Sequence, residues 1–170
     1  MRILGVDPGL SGALAVLDTE SGALETIDMP VTGEDKQRRV NAREAMHWIG
    51  PRRPHRAIIE LVNAMPSIPD PDDPAQSRRG MGAASAFRFG DSFGSIRTVI
   101  VCLEIPFSLV VPVVWKRAHG LLKTDKEASR QLAMKLFPSY VAQFERKRDE
   151  RRAEAALISD YGRMTLGMVP

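Results

Sequence analysis

Three acidic residues of this sequence stand in apolar runs, where a charged side chain is costly to bury. Asp7 directly follows the run ILGV, Glu60 lies inside AIIELV, and Glu154 lies in RRAEAALIS on a predicted helical face that also carries apolar residues. Each acid alone could be ordinary: a strand-end cap, an edge-strand residue or a surface acid of a helix. If two neighbouring strands and a helix packed on them bring the three together, the cluster needs a cation to stay ionised. Hard carboxylate oxygens suit Mg²⁺ or Mn²⁺.

A fourth acid could join this cluster from the same predicted helix. Glu150 precedes Glu154 by four residues, so the two share one face of a continuous helix. Asp149 precedes Glu154 by one residue more and points about 140° away from it, at about 100° per residue. We therefore expect Glu150, rather than Asp149, to be the fourth ligand.

Length and composition limit the possible architectures. A chain of 170 residues with 44% hydrophobic and 26% charged residues is typical of one globular domain, so we expect a single domain over residues 1–170. No segment approaches the ~18–20 apolar residues of a membrane span, and the amino terminus does not resemble a signal peptide. The lone cysteine, Cys102, excludes an internal disulfide and favours a reducing compartment such as the cytoplasm. Its apolar run predicts a buried, inert thiol.

Basic residues are concentrated in four short segments. The net charge is +3, and the segments are QRR at 37–39, PRRPHR at 51–56, SRR at 77–79 and ERKRDERR at 145–152. These segments indicate either a scattered, solvated surface or a face that binds a polyanion. A cluster of metal-binding acids nearby would favour the second interpretation.

A mixed sheet must position these residues. Apolar alternation and turn residues predict strands over 2–7, 12–18 and 22–29, joined as an antiparallel meander. Two further strands are predicted over 57–62 and 108–112. The proline-rich segment between 63 and 82 has no periodicity, and we expect an exposed loop there.

Helices are predicted between and after these strands. The first covers 41–50, with Asn41 as its cap and Gly50 as its end. Apolar residues at helical spacing predict a second over 83–104, in which Gly90 and Gly94 would permit close packing of another element.

The carboxyl-terminal part of the chain is also predicted to be helical. WKRAHGLL reads as a short helix or turn, and TDKEASRQLAMKLFP as a helix with a capping box of Thr124 and Glu127. DERRAEAALISDYGRM is the predicted terminal helix. The resulting order, βββαβαβαα, predicts an α/β fold with a mixed five-stranded sheet and helices on both faces.

Four segments in this order resemble the RuvC-type Holliday-junction resolvases, in particular the compact members found in phages and prophages. They are MRILGVDPGLSGALAVLD, AIIE, VVPVVWK with LLKTDKEASRQLAMKLFP, and RAEAALI, and the similarity extends over roughly residues 1–165. The DPG turn alone is shared with other ribonuclease H-like and actin-like proteins. The resemblance implies a ribonuclease H-like fold, a homodimer, and hydrolysis of phosphodiester bonds at four-way DNA junctions. It also implies two Mg²⁺ or Mn²⁺ ions per active site and no small-molecule cofactor.

The resemblance assigns roles to the acids. Asp7 would bridge the metals, and Glu60 and Glu154 would be the acids of the fourth strand and the terminal helix. The family places its remaining acid three or four residues before the helix acid. Here the position three before is Arg151, which departs from the usual spacing, and the position four before is Glu150.

The resemblance also points to basic residues that would contact DNA. Lys116 and Lys123 resemble lysines that the family places near the scissile phosphate, although both could be solvated residues at a helix end. The candidates for phosphate contacts are Arg78, Arg79, Lys116, Lys123, Arg146 and Lys147. Such contacts position DNA without reading its sequence. The family's aromatic wedge after the fourth-strand acid is not expected here, because no aromatic residue occurs between Glu60 and Phe87. Trp115 is predicted to be a packing residue.

Other interpretations stay open at this point. A nuclease of the same fold could accept flaps, three-way junctions or hybrids. Arg151, where an acid is expected, would also suit a junction-binding protein that has lost activity. An actin-like phosphotransferase fragment is disfavoured, because the chain is too short for two lobes. A phage-encoded protein would work in the cytoplasm of its bacterial host.

Overall fold

The strands follow the apolar alternation of the sequence. The computed structural model describes residues 1–61, 82–125 and 127–166. Its strands are β1 (Arg2–Asp7), β2 (Ala13–Asp18), β3 (Leu24–Asp28), β4 (Val31–Thr32), β5 (Arg39–Val40), β6 (Arg56–Glu60) and β7 (Phe107–Val110). One sheet has the order β3-β2-β1-β6-β7, in which β1, β2 and β3 pair antiparallel while β6 lies parallel to β1 and β7 parallel to β6. The predicted meander and mixed five-stranded sheet are confirmed.

Two details of the strands differ from the prediction. β7 ends at Val110, because Pro112 has no backbone N–H for the ladder and instead begins the next helix, where its fixed φ is suitable. Val31 pairs with Val40 in a small second sheet of β4 and β5. Strands of two residues are too short to show alternation, so this sheet was not predicted.

The helices are α1 (Ala42–Ile49), α2 (Ala83–Cys102), α3 (Pro112–Ala118), α4 (Glu127–Leu136) and α5 (Glu150–Leu166). Short 3₁₀ turns lie at Asp35–Gln37, Gly50–Arg52, Pro138–Gln143 and Lys147–Asp149. α1 has the predicted ends: the Asn41 side chain accepts a hydrogen bond from the Glu44 backbone N–H at 3.3 Å, and the helix stops before Gly50. The predicted strand-and-helix order is thus confirmed, with the loop predicted over 63–82 lying almost wholly outside the described residues.

Two predictions about helices are wrong. The Thr124 hydroxyl donates to the Leu121 carbonyl, and the side chain that accepts from the first turn of α4 is Asp125, bonded to the Ala128 N–H at 3.0 Å. Cys102 is exposed at the end of α2. The close packing expected at Gly90 and Gly94 stays a prediction: no described atom lies within 4 Å of an added Cβ at either glycine, so the packing element would lie outside the described part of the chain.

Helices cover both faces of the sheet, as predicted. Successive residues of a strand point to opposite faces, so Leu4 and Val6 of β1 pack with α1 and α2, while Ile3 packs with α4 and α5. Ile59 and Ile58 of β6 divide in the same way. Among the described residues no helix is both long and apolar enough to cross a membrane.

α5 lies unusually close to the central strand β1. A Cβ on Gly5 would stand 2.2 Å from the Ala155 carbonyl oxygen and 2.5 Å from the Ser159 backbone nitrogen. On α5, a Cβ at Gly162 would meet Ile3 and Ile58 side chains at 2.8 Å. Because Gly5 and Gly162 have no side chains, α5 can pack this close to the sheet.

Gly5→Ala is expected to destabilise the protein by about 1–3 kcal/mol, because the new methyl group would collide with backbone atoms that cannot rotate away. Thermal unfolding of the wild type and of Gly5→Ala would measure this loss of stability. Gly90→Ala is the matched control: no described atom lies within 4 Å of an added Cβ there, and in a helix the substitution is expected to be neutral or stabilising by about 0.5–1 kcal/mol. An unchanged melting temperature for Gly5→Ala would show that α5 can move away from β1 without cost.

Candidate active site

The three acids singled out in the sequence lie on the α5 face at one edge of the sheet. Asp7 is the last residue of β1 and Glu60 the last of the parallel strand β6, so both carboxylates leave the sheet at the same edge. Ile3 and Ile58 pack on the α5 face, and the period of two places Asp7 and Glu60 on that face as well. Glu154 lies in the first half of α5, which packs on β1. Only 5% of Asp7, 6% of Glu60 and 5% of Glu154 is exposed.

Burial and mutual repulsion make this cluster hard to ionise. The pKa of Asp7 is raised from 3.8 to about 7; burial is the largest cause, the negative charges of Glu60 and Glu154 act in the same direction, and the Arg151 guanidinium opposes the shift. Burial also raises the pKa of Glu60, reinforced by Glu154 and opposed mainly by the hydrogen bond from Trp115. The three carboxylates therefore repel one another when ionised, which is the property expected of a cluster that binds a cation.

Two basic side chains contact the acids directly. The Lys116 Nζ donates to Glu154 Oε1 at 2.9 Å. The Arg151 Nη1 donates to Glu154 Oε2 at 2.9 Å and lies 3.6 Å from Asp7 Oδ2. Glu154 thus has one cation on each oxygen, while Asp7 Oδ2 is buried without a hydrogen-bond partner in the described structure.

Trp115 holds the side chain of Glu60 through a hydrogen bond. This fully buried residue of α3 belongs to the core, as the predicted packing residue should, and its indole Nε1 donates to Glu60 Oε1 at 2.8 Å. The hydrogen bond holds one oxygen of Glu60 in place. Local sequence patterns could not predict this contact, because Trp115 and Glu60 are 55 residues apart in the chain.

A buried contact between His119 and Asp160 links the end of α3 to α5. The Nδ1 of His119 lies 2.9 Å from the Trp115 carbonyl oxygen, and its Nε2 lies 3.1 Å from Asp160 Oδ2. Burial raises the pKa of Asp160, but the hydrogen bonds from His119 and Arg163 outweigh it and the net shift of that pKa is downward. The pair ties the end of α3, which carries Trp115 and Lys116, to α5.

The arrangement of sheet and helices matches that of solved structures. None of the family models or curated proteins compared matches the sequence of this chain. The solved structure of T. thermophilus RuvC in complex with a Holliday junction substrate is similar, with a TM-score of 0.61, 16% identity and 96% of each chain covered. A second structure, of Thermus thermophilus RuvC, gives a TM-score of 0.57 at 18% identity over 97% of each chain. This chain has the RuvC fold. The fowlpox virus Holliday junction resolvase gives a TM-score of 0.48 at 12% identity, over 98% of this chain and 99% of its own.

Within this RuvC fold, Glu150 and Asp149 have different surroundings. Glu150 is the half-buried first residue of α5, and its side chain makes no hydrogen bond or ion pair with the described residues. Asp149 is buried and accepts from the backbone N–H of Arg146 at 2.9 Å and from its guanidinium. Those bonds outweigh burial and lower the pKa of Asp149. Asp149 is thus engaged in a turn before α5, and Glu150 is free to face a ligand.

The predicted DNA-contacting residues are spread around the RuvC fold. Lys116 contacts the acid cluster, whereas Lys123 is an exposed loop residue with a φ of +62°. Arg146 is paired with Asp149, and Lys147 is exposed. Arg78 and Arg79 lie outside the described residues.

The donor set is chemically suited to a divalent ion. Three coupled carboxylates, one of them with a buried oxygen lacking a hydrogen bond, match the hard oxygen ligands of Mg²⁺ or Mn²⁺. As the side chains stand, however, no three Asp, Glu, His or Cys residues of the described ranges form a group ready to hold a metal. The Arg151 guanidinium contacts two of the three acids, Asp7 and Glu154.

Proposed function

We propose that this chain is a metal-dependent endonuclease that resolves four-way (Holliday) DNA junctions. The observation that carries the proposal is the cluster of Asp7, Glu60 and Glu154, buried at one edge of the sheet in a RuvC fold. The resemblance of the four sequence segments to the RuvC-type resolvases supports it, as does the fact that a T. thermophilus RuvC of this fold was solved with a Holliday junction.

The three acids would hold the divalent ions, two per site in the proposed mechanism, with Glu150 as the fourth ligand. When bound, such ions activate a water molecule and stabilise the departing 3′ oxygen of a phosphodiester. In the hydrolysis, the P–O3′ bond breaks, water supplies the new oxygen on the 5′ phosphate, and the 3′ oxygen takes up a proton.

The remaining residues of the site bind and orient. Trp115 holds one oxygen of Glu60, which leaves the other oxygen for a ligand. Lys116 lies on Glu154, where its ammonium can also meet a phosphate oxygen of the substrate. Lys123, Arg146 and Lys147 would contact the DNA backbone farther away, so binding would weaken as salt rises.

Two cuts on a four-way junction require two active sites related by a twofold axis, and the proposed active form is accordingly a homodimer. Its assembly can be tested by the mass of the protein in solution, free and bound to one junction. A protein that stays monomeric on the junction would contradict this part of the proposal.

Digestion of a mobile four-way junction, beside a flap, a three-way junction and an RNA–DNA hybrid, tests the function. We expect paired cuts in the four-way junction with Mg²⁺ or Mn²⁺, and none with EDTA. Equal cutting of all substrates would favour a broader nuclease of this fold. Tight junction binding without cutting would favour the inactive binding protein, the alternative that Arg151 makes worth testing.

Glu150→Gln is expected to lower the cleavage rate roughly 100-fold, on the scale usual for ligand-shell substitutions. Its melting temperature should stay close to that of the wild type, because the side chain makes no hydrogen bond or ion pair with the described residues. Asp149→Asn is expected to show the reverse pattern: near-normal cleavage and a lower melting temperature, because it weakens the buried bonds to Arg146. Single-turnover cleavage and thermal unfolding of both variants measure the difference; severe loss of cleavage in Asp149→Asn alone would identify the wrong neighbour.

A further inference from the structure

Arg151 occupies the gap between two of the acids that the proposed metal site needs. Its Nη1 donates to Glu154 Oε2 at 2.9 Å and stands 3.6 Å from Asp7 Oδ2, so one cationic group spans a strand end and a helix. The shift of its pKa is upward: burial lowers this pKa, but Asp7, Glu154 and Glu150 together outweigh that effect. The guanidinium is therefore held by the same negative charges that would attract a divalent ion.

The hold on Asp7 is incomplete. At 3.6 Å the contact is an ion pair and not a hydrogen bond, and Asp7 Oδ2 keeps no hydrogen-bond partner among the described residues. Arg151 is also 48% exposed, in the first turn of α5, so its long side chain has an open path into solvent. A side chain of this kind can leave the acids without any movement of the fold.

The charges of the cluster explain why it needs Arg151 when no metal is bound. Asp7, Glu60 and Glu154 carry three negative charges when ionised, and Lys116 neutralises Glu154 from one side only. Without a second cation, ionised Asp7 at the end of β1 would stay buried with no cation in contact with it, which is strongly unfavourable. The guanidinium, with its planar set of donors, can reach carboxylates on two elements at once.

We propose that Arg151 is a tethered cation that competes with the divalent ion for Asp7 and Glu154. In the metal-free protein it neutralises the two acids, and metal binding displaces it towards solvent. This inference rests on the proposed function, because it concerns the same acids, but it makes a separate statement: Arg151 weakens metal binding while it stabilises the metal-free fold. A merely structural arginine would stabilise the fold with and without metal.

Mn²⁺ binding to the full chain, followed by the electron paramagnetic resonance signal of free Mn²⁺, tests the proposal without reference to cleavage. Arg151→Gln is expected to bind Mn²⁺ about 10- to 100-fold more tightly than the wild type and to have a lower melting temperature in EDTA. Arg151→Lys, which keeps the charge but not the planar fork, should lie between them. Arg152→Gln is the matched control, because it removes the same charge from the adjacent residue, whose partner is Asp28.

The possible outcomes separate this inference from the proposed function. Tighter Mn²⁺ binding by Arg151→Gln, with Arg152→Gln like the wild type, supports the competition. Equal or weaker binding by Arg151→Gln overturns it and leaves the metal site in place. Absence of Mn²⁺ binding in every variant overturns both the competition and the proposed metal-dependent function. If Arg151→Gln unfolds in EDTA, the titration of Arg151→Lys decides, and an affinity equal to that of the wild type contradicts the proposal.

Discussion

Asp7→Asn is expected to abolish cleavage of branched DNA and, at pH 8 in EDTA, to raise the melting temperature by about 5–15 °C. A gain in stability from the loss of a site residue follows from the electrostatics of the cluster. Asp7 is buried beside two other acids, and its ionised form is disfavoured in the folded protein. The neutral amide removes this repulsion and also removes a ligand of the proposed metal site.

The raised pKa of Asp7 determines how the stability of the fold changes with pH. Between pH 3.8 and about 7 the folded protein keeps a proton on Asp7 that the unfolded chain has released. The free energy of unfolding therefore falls as the pH rises through this window, by roughly 2–4 kcal/mol for this group. Asp7→Asn should lack this fall, so its advantage is large at pH 8 and vanishes near pH 4.

Thermal unfolding between pH 4 and pH 8, with and without Mn²⁺, measures both effects. Mn²⁺ should stabilise the wild type, because it binds the folded state, and should have little effect on Asp7→Asn. Asp18→Asn is the control of opposite sign: backbone hydrogen bonds from Glu20 and Ser21 lower the pKa of Asp18, so its loss should destabilise. A lower melting temperature for Asp7→Asn at pH 8 would contradict the account of the cluster.

Glu60→Gln is expected to reduce junction cleavage by about 1000-fold or more, equivalent to about 4 kcal/mol of transition-state stabilisation. The fold should survive, because the glutamine keeps an acceptor oxygen for the Trp115 N–H, now bonded to Glu60 Oε1 at 2.8 Å. Junction affinity should stay within about threefold of the wild type, since contacts with phosphates dominate it.

Single-turnover cleavage and a junction-binding titration separate these two quantities. Glu25→Gln is a suitable control, because Glu25 is an exposed acid that pairs with Arg52. It lies on β3, which β2 separates from β1 in the sheet. It should leave both quantities unchanged. Near-normal cleavage by Glu60→Gln would remove Glu60 from the proposed metal site.

The acids could be found in the sequence because each interrupts an apolar pattern. Alternation in β1 and β6 fixes which face Asp7 and Glu60 share, and the apolar face of α5 fixes the side of Glu154. The proximity of the three then follows from the parallel pairing of β1 with β6 and from the packing of α5 on β1. Local patterns determine in which direction each side chain points, so the sequence was sufficient to select these three acids as candidates.

The contacts around the acids could not be found in the same way. Trp115 with Glu60, and His119 with Asp160, join residues 55 and 41 positions apart and depend on how α3 packs against the sheet and α5. Arg151 was noticed only as a departure from the family's spacing. Its contact with Asp7 depends on the close approach of α5 that Gly5 permits.

The errors have local physical causes. Thr124 and Asp125 are both good capping residues, but α4 begins at Glu127, later than predicted, and Asp125 accepts from the Ala128 N–H. Cys102 lies in an apolar run, but on a helix it points about 200° away from Ile100, which is buried. The periodicity was informative there and the average hydrophobicity was not.

A crystal structure of the wild-type protein soaked in Mn²⁺ is the most direct test that the three acids form a metal site. Anomalous difference maps should show at least one Mn²⁺ within about 2.5 Å of carboxylate oxygens of Asp7 and of Glu60 or Glu154, with the Arg151 guanidinium moved away. Mn²⁺ bound elsewhere, with Arg151 still on Asp7 and Glu154, would contradict the proposed active site.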